Sequence, residues 1–98
     1  VLSRFPGDGS KDCRRVSYEE TIDFNIFGDV HVYQLRSTVM HHGNMAGVGH
    51  YTAFVRVSSE AQEMWYNCND EAISAAELYD ALDATEDVYI LVYEKLDE

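Results

Sequence analysis

GVGHYTAFVR, residues 47–56, decides how the rest of the chain is read. From His50 onward it alternates: Tyr51, Ala53, Val55 and Val57 fall on one side, and His50, Thr52, Phe54 and Arg56 on the other. A period of two is the signature of a β-strand with two distinct faces. The stretch before it, HGNMAGVG at 42–49, carries glycines at 43, 47 and 49 and reads as a flexible loop. Glycine leaves no side chain to block the approach of another chain. An imidazole at the mouth of a strand, directly after such a loop, asks for a chemical reason.

Working outward, SSEAQ (58–62) reads as a hairpin-like connection into a strand at Met64–Cys68. SAAELYDAL (74–82) predicts one helix, with Ser74 as cap, Glu77 three residues on, and an apolar stripe of Leu78, Ala81 and Leu82. VYILVYE (88–94) is apolar on both faces, which predicts a central strand over Val88–Tyr93. Upstream, His31–His41 predicts a strand with Tyr33, Leu35 and Val39 on one face. A turn falls around Gly28, and Val16–Phe24 is weakly extended. PGDGSKD (6–12) is a turn-rich loop, and Val1–Phe5 reads as a strand end. Many strands and one short helix give an α+β fold built on a mostly antiparallel β-sheet. The opening VLSRF, apolar and without an initiator methionine, is expected to be a strand from within a longer chain.

The 98 residues suit one domain, and 46% hydrophobic with 26% charged content marks a globular chain. A formal net charge of −11 argues against nucleic acid and against an anionic membrane, and suits a basic partner. No apolar run approaches a membrane span and no signal peptide is visible. The two cysteines, Cys13 and Cys68, lack CxxC spacing, so the expected setting is a reducing, intracellular compartment, cytoplasmic or nuclear.

A neutral imidazole can take a proton from a nucleophile and return it to a leaving group. It needs a rigid mount, one free ring nitrogen, and an acceptor that fixes the other. If residues 50–57 and 64–68 pair as a hairpin, Asn69 and Asp70 come to lie near His50. Either side chain can accept from Nδ1–H and fix the tautomer. A zinc site from His41, His42, His50 and Cys68 is the competing reading. Adjacent histidines on a strand point to opposite faces and no ligand spacing supports the set, so no metal or cofactor is expected.

YQLRSTVMHHGNMAGVGHYTAFVR (33–56), WYNCNDEAI (65–73), VYILVYEK (88–95) and the opening VLSRF, in this order, resemble the C-terminal part of ubiquitin-specific proteases, the ubiquitin carboxyl-terminal hydrolases. The resemblance runs over essentially the whole chain. It implies the palm half of a papain-like cysteine protease fold, spanning residues 1–98, and a thiol-dependent hydrolase acting on ubiquitin and ubiquitinated proteins. On the matching positions it implies a catalytic His50, oriented by Asn69, with Asp70 as the acidic residue beside it. Gly49 and Tyr51 would line the channel for the ubiquitin tail, His41, Gly43 and the loop to Gly49 would face substrate, and Trp65 would pack. Cys68 stands where the family usually has an aromatic residue. The family's upstream cysteine box, N-x-G-x-T-C, has no match here, and neither do its paired CxxC finger ligands. The expectation is an inactive fragment of an active enzyme whose bare sheet edges allow self-association. A catalytically inactive ubiquitin-binding scaffold is the alternative.

Overall fold

The computed structural model describes residues 1–45, 48–60 and 62–96. The elements in chain order are β1 (Thr21–Ile26), β2 (Asp29–Met45), β3 (Val48–Ser58), β4 (Glu63–Asn69), β5 (Ala72–Ala76), α1 (Leu78–Leu82) and β6 (Val88–Lys95). They form one six-stranded sheet in which every pairing is antiparallel.

The hairpin turns explain the register. Ile26 faces Asp29 across Phe27 and Gly28, whose φ values of 52° and 86° make a two-residue turn with both central residues left-handed. The Gly28 N–H is further held by Asn25 Oδ1 at 3.1 Å. Asn69 faces Ala72 across Asp70 and Glu71, with Asp70 at φ 53°. Aspartate tolerates this conformation better than most side chains. The expected connection at 58–62 includes Ala61, which lies outside the described residues, and Ser59 N–H closes it onto Gln62 O at 2.9 Å.

β2 is the long central strand. Both β1 and β6 pair with it at Tyr33 and Gln34, so they occupy opposite edges there. β3 takes over from Ser37 onward, opposite the edge where His41 N–H meets Asp87 O. β6 pairs with no second strand among the described residues and is not central, contrary to its apolar pattern: Leu2 N–H bonds Tyr89 O at 2.8 Å. Its second apolar face comes from tertiary contacts of Tyr89, described below.

The core lies on one face. Leu35, Trp65 and Ala81 are buried there, with Tyr18, Phe54, Ala76, Leu78, Leu82, Leu91 and Tyr93 packed around them. Burying a Leu or Val side chain contributes roughly 1.5–3 kcal/mol. The helix covers this face through the expected stripe, but it is shorter than its sequence pattern. Ser74–Ala76 extend as β5, and the cap is Glu77 with Asp80 in a reciprocal capping box. Ala75 and Ala76 have high helix propensity, yet pairing with Tyr66 and Trp65 outweighs it. The expected loop at 42–49 is likewise mostly strand: β2 runs to Met45 and β3 begins at Val48, with a register shift between His42 and Met45. Its residues Ala46 and Gly47 lie outside the described set.

Two buried arginines fasten the irregular parts. Arg4, only 2% exposed, donates Nε to Val88 O, Nη1 to the carbonyls of Asp12 and Arg14 at 2.8 Å, and Nη2 to Thr85 O at 2.9 Å. Arg56 lies 5.1 Å from the Trp65 ring centroid and pairs with Glu20 at 2.9 Å and Glu63 at 3.4 Å. A buried charge is tolerated only with such partners.

Candidate functional site

Alternation along β3 puts His50, Thr52, Phe54 and Arg56 on one face, and Phe54 belongs to the core cluster, so this is the helix-bearing face. His50 is near the open end of β3, exposed, and directly opposite His42 of β2. On the other side, the β3–β4 ladder ends at Ala53 and Cys68; one step beyond, Asn69 falls level with Thr52. His50 and Asn69 are thus diagonal neighbours on the same face.

Their side chains meet: His50 Nε2 lies 2.5 Å from Asn69 Oδ1. An amide oxygen only accepts, so Nε2 donates to it, and Nδ1 is the ring nitrogen left outside this contact. The sequence reading had assigned the contact to Nδ1. Nδ1 lies close to the histidine's own backbone, whereas Nε2 projects farthest from Cβ and reaches a diagonal partner. Asp70 sits in the exposed turn beyond, and no hydrogen bond or ion pair joins it to His50 among the described residues.

A second oriented imidazole stands beside the first. His42 Nε2 is 2.7 Å from Thr52 Oγ1, and its Nδ1 is 3.3 Å from Asp87 Oδ2. With Nδ1–H donated to the carboxylate, Nε2 accepts the Thr52 hydroxyl. Asp87 also takes the ammonium of Lys11 at 3.1 Å, and the Lys11 side chain is fully buried. Lys11 Nζ donates to His41 O as well, and the Lys11 N–H bonds Asn44 O at 2.9 Å. Burial alone pushes the Asp87 carboxyl up. The hydrogen bond and charge of Lys11, with those of His42, outweigh it and hold the group below the usual carboxylate value. This Lys11–Asp87 clasp grips β2 on both sides of His42. Sequence reasoning missed it: Thr52 is legible as the next residue on the His50 face, but nothing local ties positions 11 and 87 to this site.

The residues named from the sequence as substrate-facing divide differently. His41 and Tyr51 pair across β2 and β3 on the opposite face from His50. His41 is 1% exposed, and its ring stands edge-on to Phe5 at 5.1 Å and to Tyr51 at 4.9 Å. Tyr89 completes the cluster against Phe5 at 5.1 Å. Burial first, then the Lys11 charge, push the His41 imidazole below its ordinary value, so it is neutral at neutral pH. Its Nδ1 has no hydrogen-bond partner among the described residues. Tyr51 remains 49% exposed. Gly49 has a φ of 156°, and a Cβ there would lie 2.6 Å from His41 Nε2 and would collide with His42 O. The close approach of these two backbones requires glycine. Gly43 is exposed with a φ of 128° beside the register shift.

Neither sulfur lies with the His50 ring. Cys68 alternates with Asn69 and so points to the opposite face. Cys13 is exposed, 3.6 Å from Lys11 O and 3.9 Å from Asn44 Oδ1.

With this geometry in hand, comparison with known proteins is direct. The ubiquitin carboxyl-terminal hydrolase family profile matches residues 1–93. Ubiquitin carboxyl-terminal hydrolase 27 of Mus musculus is 32% identical over 94 residues, covering 96% of this chain and 20% of that protein. Ubiquitin carboxyl-terminal hydrolase 43 of Homo sapiens is 35% identical over 94 residues, covering 96% and 7%. The chain thus spans a fifth or less of the length of these curated relatives. Among solved structures, the Ubp8/Sgf11/Sus1/Sgf73 DUB module of SAGA bound to ubiquitin aldehyde aligns with a TM-score of 0.79 at 23% identity, covering 98% of this chain and 23% of that one. The Ubp8-Sgf11-Sgf73-Sus1 module gives 0.74 at 24% identity, covering 89% and 20%. The mostly antiparallel sheet with its single short helix is therefore the fold found in these catalytic-domain structures, and the chain belongs to the ubiquitin carboxyl-terminal hydrolase family.

Proposed function

We propose that the chain supplies the histidine and asparagine of a thiol-dependent deubiquitinase that cleaves after the C-terminal glycine of ubiquitin. The single observation that carries this is the 2.5 Å contact of His50 Nε2 with Asn69 Oδ1. It commits Nε2 to the asparagine and leaves Nδ1, on an exposed ring, as the nitrogen open to a nucleophile, the arrangement a general base requires. In this reading a cysteine delivered from outside these 98 residues loses its proton to Nδ1 and attacks the carbonyl carbon of the C-terminal glycine. The resulting imidazolium protonates the leaving amine, giving a thioester. His50 then takes a proton from water, whose oxygen adds to the thioester carbonyl and expels the cysteine sulfur; the sulfur recovers the proton from His50 as the glycine carboxylate is released. Asn69 is the positioning residue, and Asp70 contributes negative charge nearby without touching the ring.

The placement of Cys13 and Cys68 away from the ring supports an external nucleophile, so the 98 residues alone are inactive. Gly43, Gly49 and Tyr51 line the path of an extended ubiquitin tail, with His41 backing Gly49 from beneath. Ubiquitin and ubiquitinated proteins are the proposed partners, and the two free thiols support an intracellular setting. A scaffold without catalysis has no use for an aligned base, so the enzyme reading is preferred.

The test uses the full-length protein and a fluorogenic C-terminal amide of ubiquitin. His50→Ala is expected to lower kcat by at least 10²-fold, the general-base contribution, and Asn69→Ala by about tenfold or more. The 98-residue chain is expected to show no turnover. Full activity of His50→Ala, or turnover by the short chain that His50→Ala removes, would overturn the proposal.

A further inference from the structure

β5 closes the hydrogen-bonded series β1 to β5 and pairs only with β4 among the described residues. Its outer edge presents the N–H and C=O groups of alternate residues. The usual guards of such an edge are missing. Ala72–Ala76 contains no lysine, proline or other charge, and four of its five residues are exposed. On the helix-bearing face the strand offers only Ala72, Ser74 and Ala76, which leave room for larger side chains from a neighbour. On the other face Ile73 is 66% exposed.

Charge determines who can fill this edge. Glu71 and Glu77 bracket the strand. If two copies paired antiparallel about Ser74, Glu71 of each would stand opposite Glu77 of the other. Like charges facing across strands are destabilising, and the net charge of −11 adds long-range repulsion. An extended segment with a basic residue at each end meets both carboxylates instead. Beside Glu77 the surface also opens into a cleft of about 260 Å³ walled by Met64, Trp65 and Leu78 and carrying the carboxylates of Glu20 and Glu63. Arg56 already pairs with the latter two, so the uncompensated carboxylate lining the cleft is that of Glu77, which is exposed and keeps its charge while capping α1.

We propose that β5 is a docking edge for an extended basic segment of a protein partner. The segment adds a strand antiparallel to β5, with lysine or arginine six residues apart opposite Glu71 and Glu77 and an apolar residue beside Ile73. This is strand addition, in which backbone bonds supply affinity and the end charges supply selectivity. The Ala72 end of β5 adjoins Asn69, and the docking itself does not depend on hydrolysis.

The test uses the full-length protein and the seven-residue peptide Arg-Thr-Val-Thr-Val-Thr-Arg, which sets a valine beside Ile73, against the same peptide ended by glutamates. Saturable binding of the first is expected, with new amide-exchange protection confined to Ala72–Ala76 and its neighbours. The glutamate peptide should bind at least about tenfold more weakly, as two attractive end pairs become repulsive. The double variant Glu71→Lys/Glu77→Lys should reverse the preference, a gain of binding that misfolding cannot mimic. Equal binding of both peptides, saturation without change at Ala72–Ala76, protection of those amides before peptide is added, or protection that grows with protein concentration alone would each overturn the proposal.

Discussion

Lys11→Met probes the clasp that holds β2 beneath the candidate site. The Lys11 side chain is fully buried, while Asp87 is 42% exposed and 3.1 Å away. At that separation a pair of unit charges is worth about 1 kcal/mol in water and about 5 kcal/mol at an effective dielectric of 20. The half-exposed carboxylate places this pair in the lower part of the range, about 2 kcal/mol. Losing the charged donor to His41 O adds about 1 kcal/mol, and methionine keeps the apolar stem. A local loss of about 2–3 kcal/mol is expected at neutral pH. The His41 amide, bonded to Asp87 O at 2.9 Å, reports it directly. Its protection from hydrogen exchange should fall by about thirty- to a hundred-and-fiftyfold. The pH dependence fixes the cause. The folded carboxyl value lies below its ordinary 3.8, so its contribution is complete above 3.8 and is lost as pH falls through the lower folded value. The gap between wild type and variant should therefore shrink at strongly acidic pH. An unchanged gap under acid would show that the ion pair is not what holds this end of β2.

Gly49→Ala places a Cβ against the His41 ring and His42 O, and is expected to cost about 2–4 kcal/mol of stability, read from denaturant midpoints. Leu35→Ala removes a fully buried side chain beneath α1 and should cost about 2–5 kcal/mol in the same assay. Burial, then the Tyr93 charge, push the Tyr18 hydroxyl up to about 12, and it donates to Ala81 O. A raised folded value contributes stability below the ordinary 10.0 that is lost as pH rises towards 12. Tyr18→Phe should remove that part of the alkaline transition in an ultraviolet titration.

Alternation made β3 and its face assignment legible, because a strand with one buried face repeats every two residues. The contact of His50 with Asn69 follows once β3 and β4 are joined as a hairpin, since register then places both on one face. The choice of Nε2 did not follow, because it depends on which diagonal the asparagine occupies. The helix start was misplaced because Ala75 and Ala76 suit a helix locally, and only the neighbouring strand β4 makes them extended. The central reading of β6 failed for a related reason: an apolar run shows that both faces are covered, not whether both edges are paired. His41 and Tyr51 follow the same alternation. Each is one position from a residue on the His50 face, and that one position puts them on the far side of the sheet.

Arg4 gathers its acceptors entirely from main-chain oxygens, at Asp12, Arg14, Thr85 and Val88. Every amino acid carries such an oxygen, so the tie places almost no demand on the identity of the residues it joins. Tolerance to substitution should be steeply uneven as a result. In a saturation scan scored by folding, position 4 should reject even lysine, which lacks the planar fork, while Asp12, Arg14 and Thr85 accept most replacements. A segment with hardly any regular structure can in this way drift freely in composition while keeping its path.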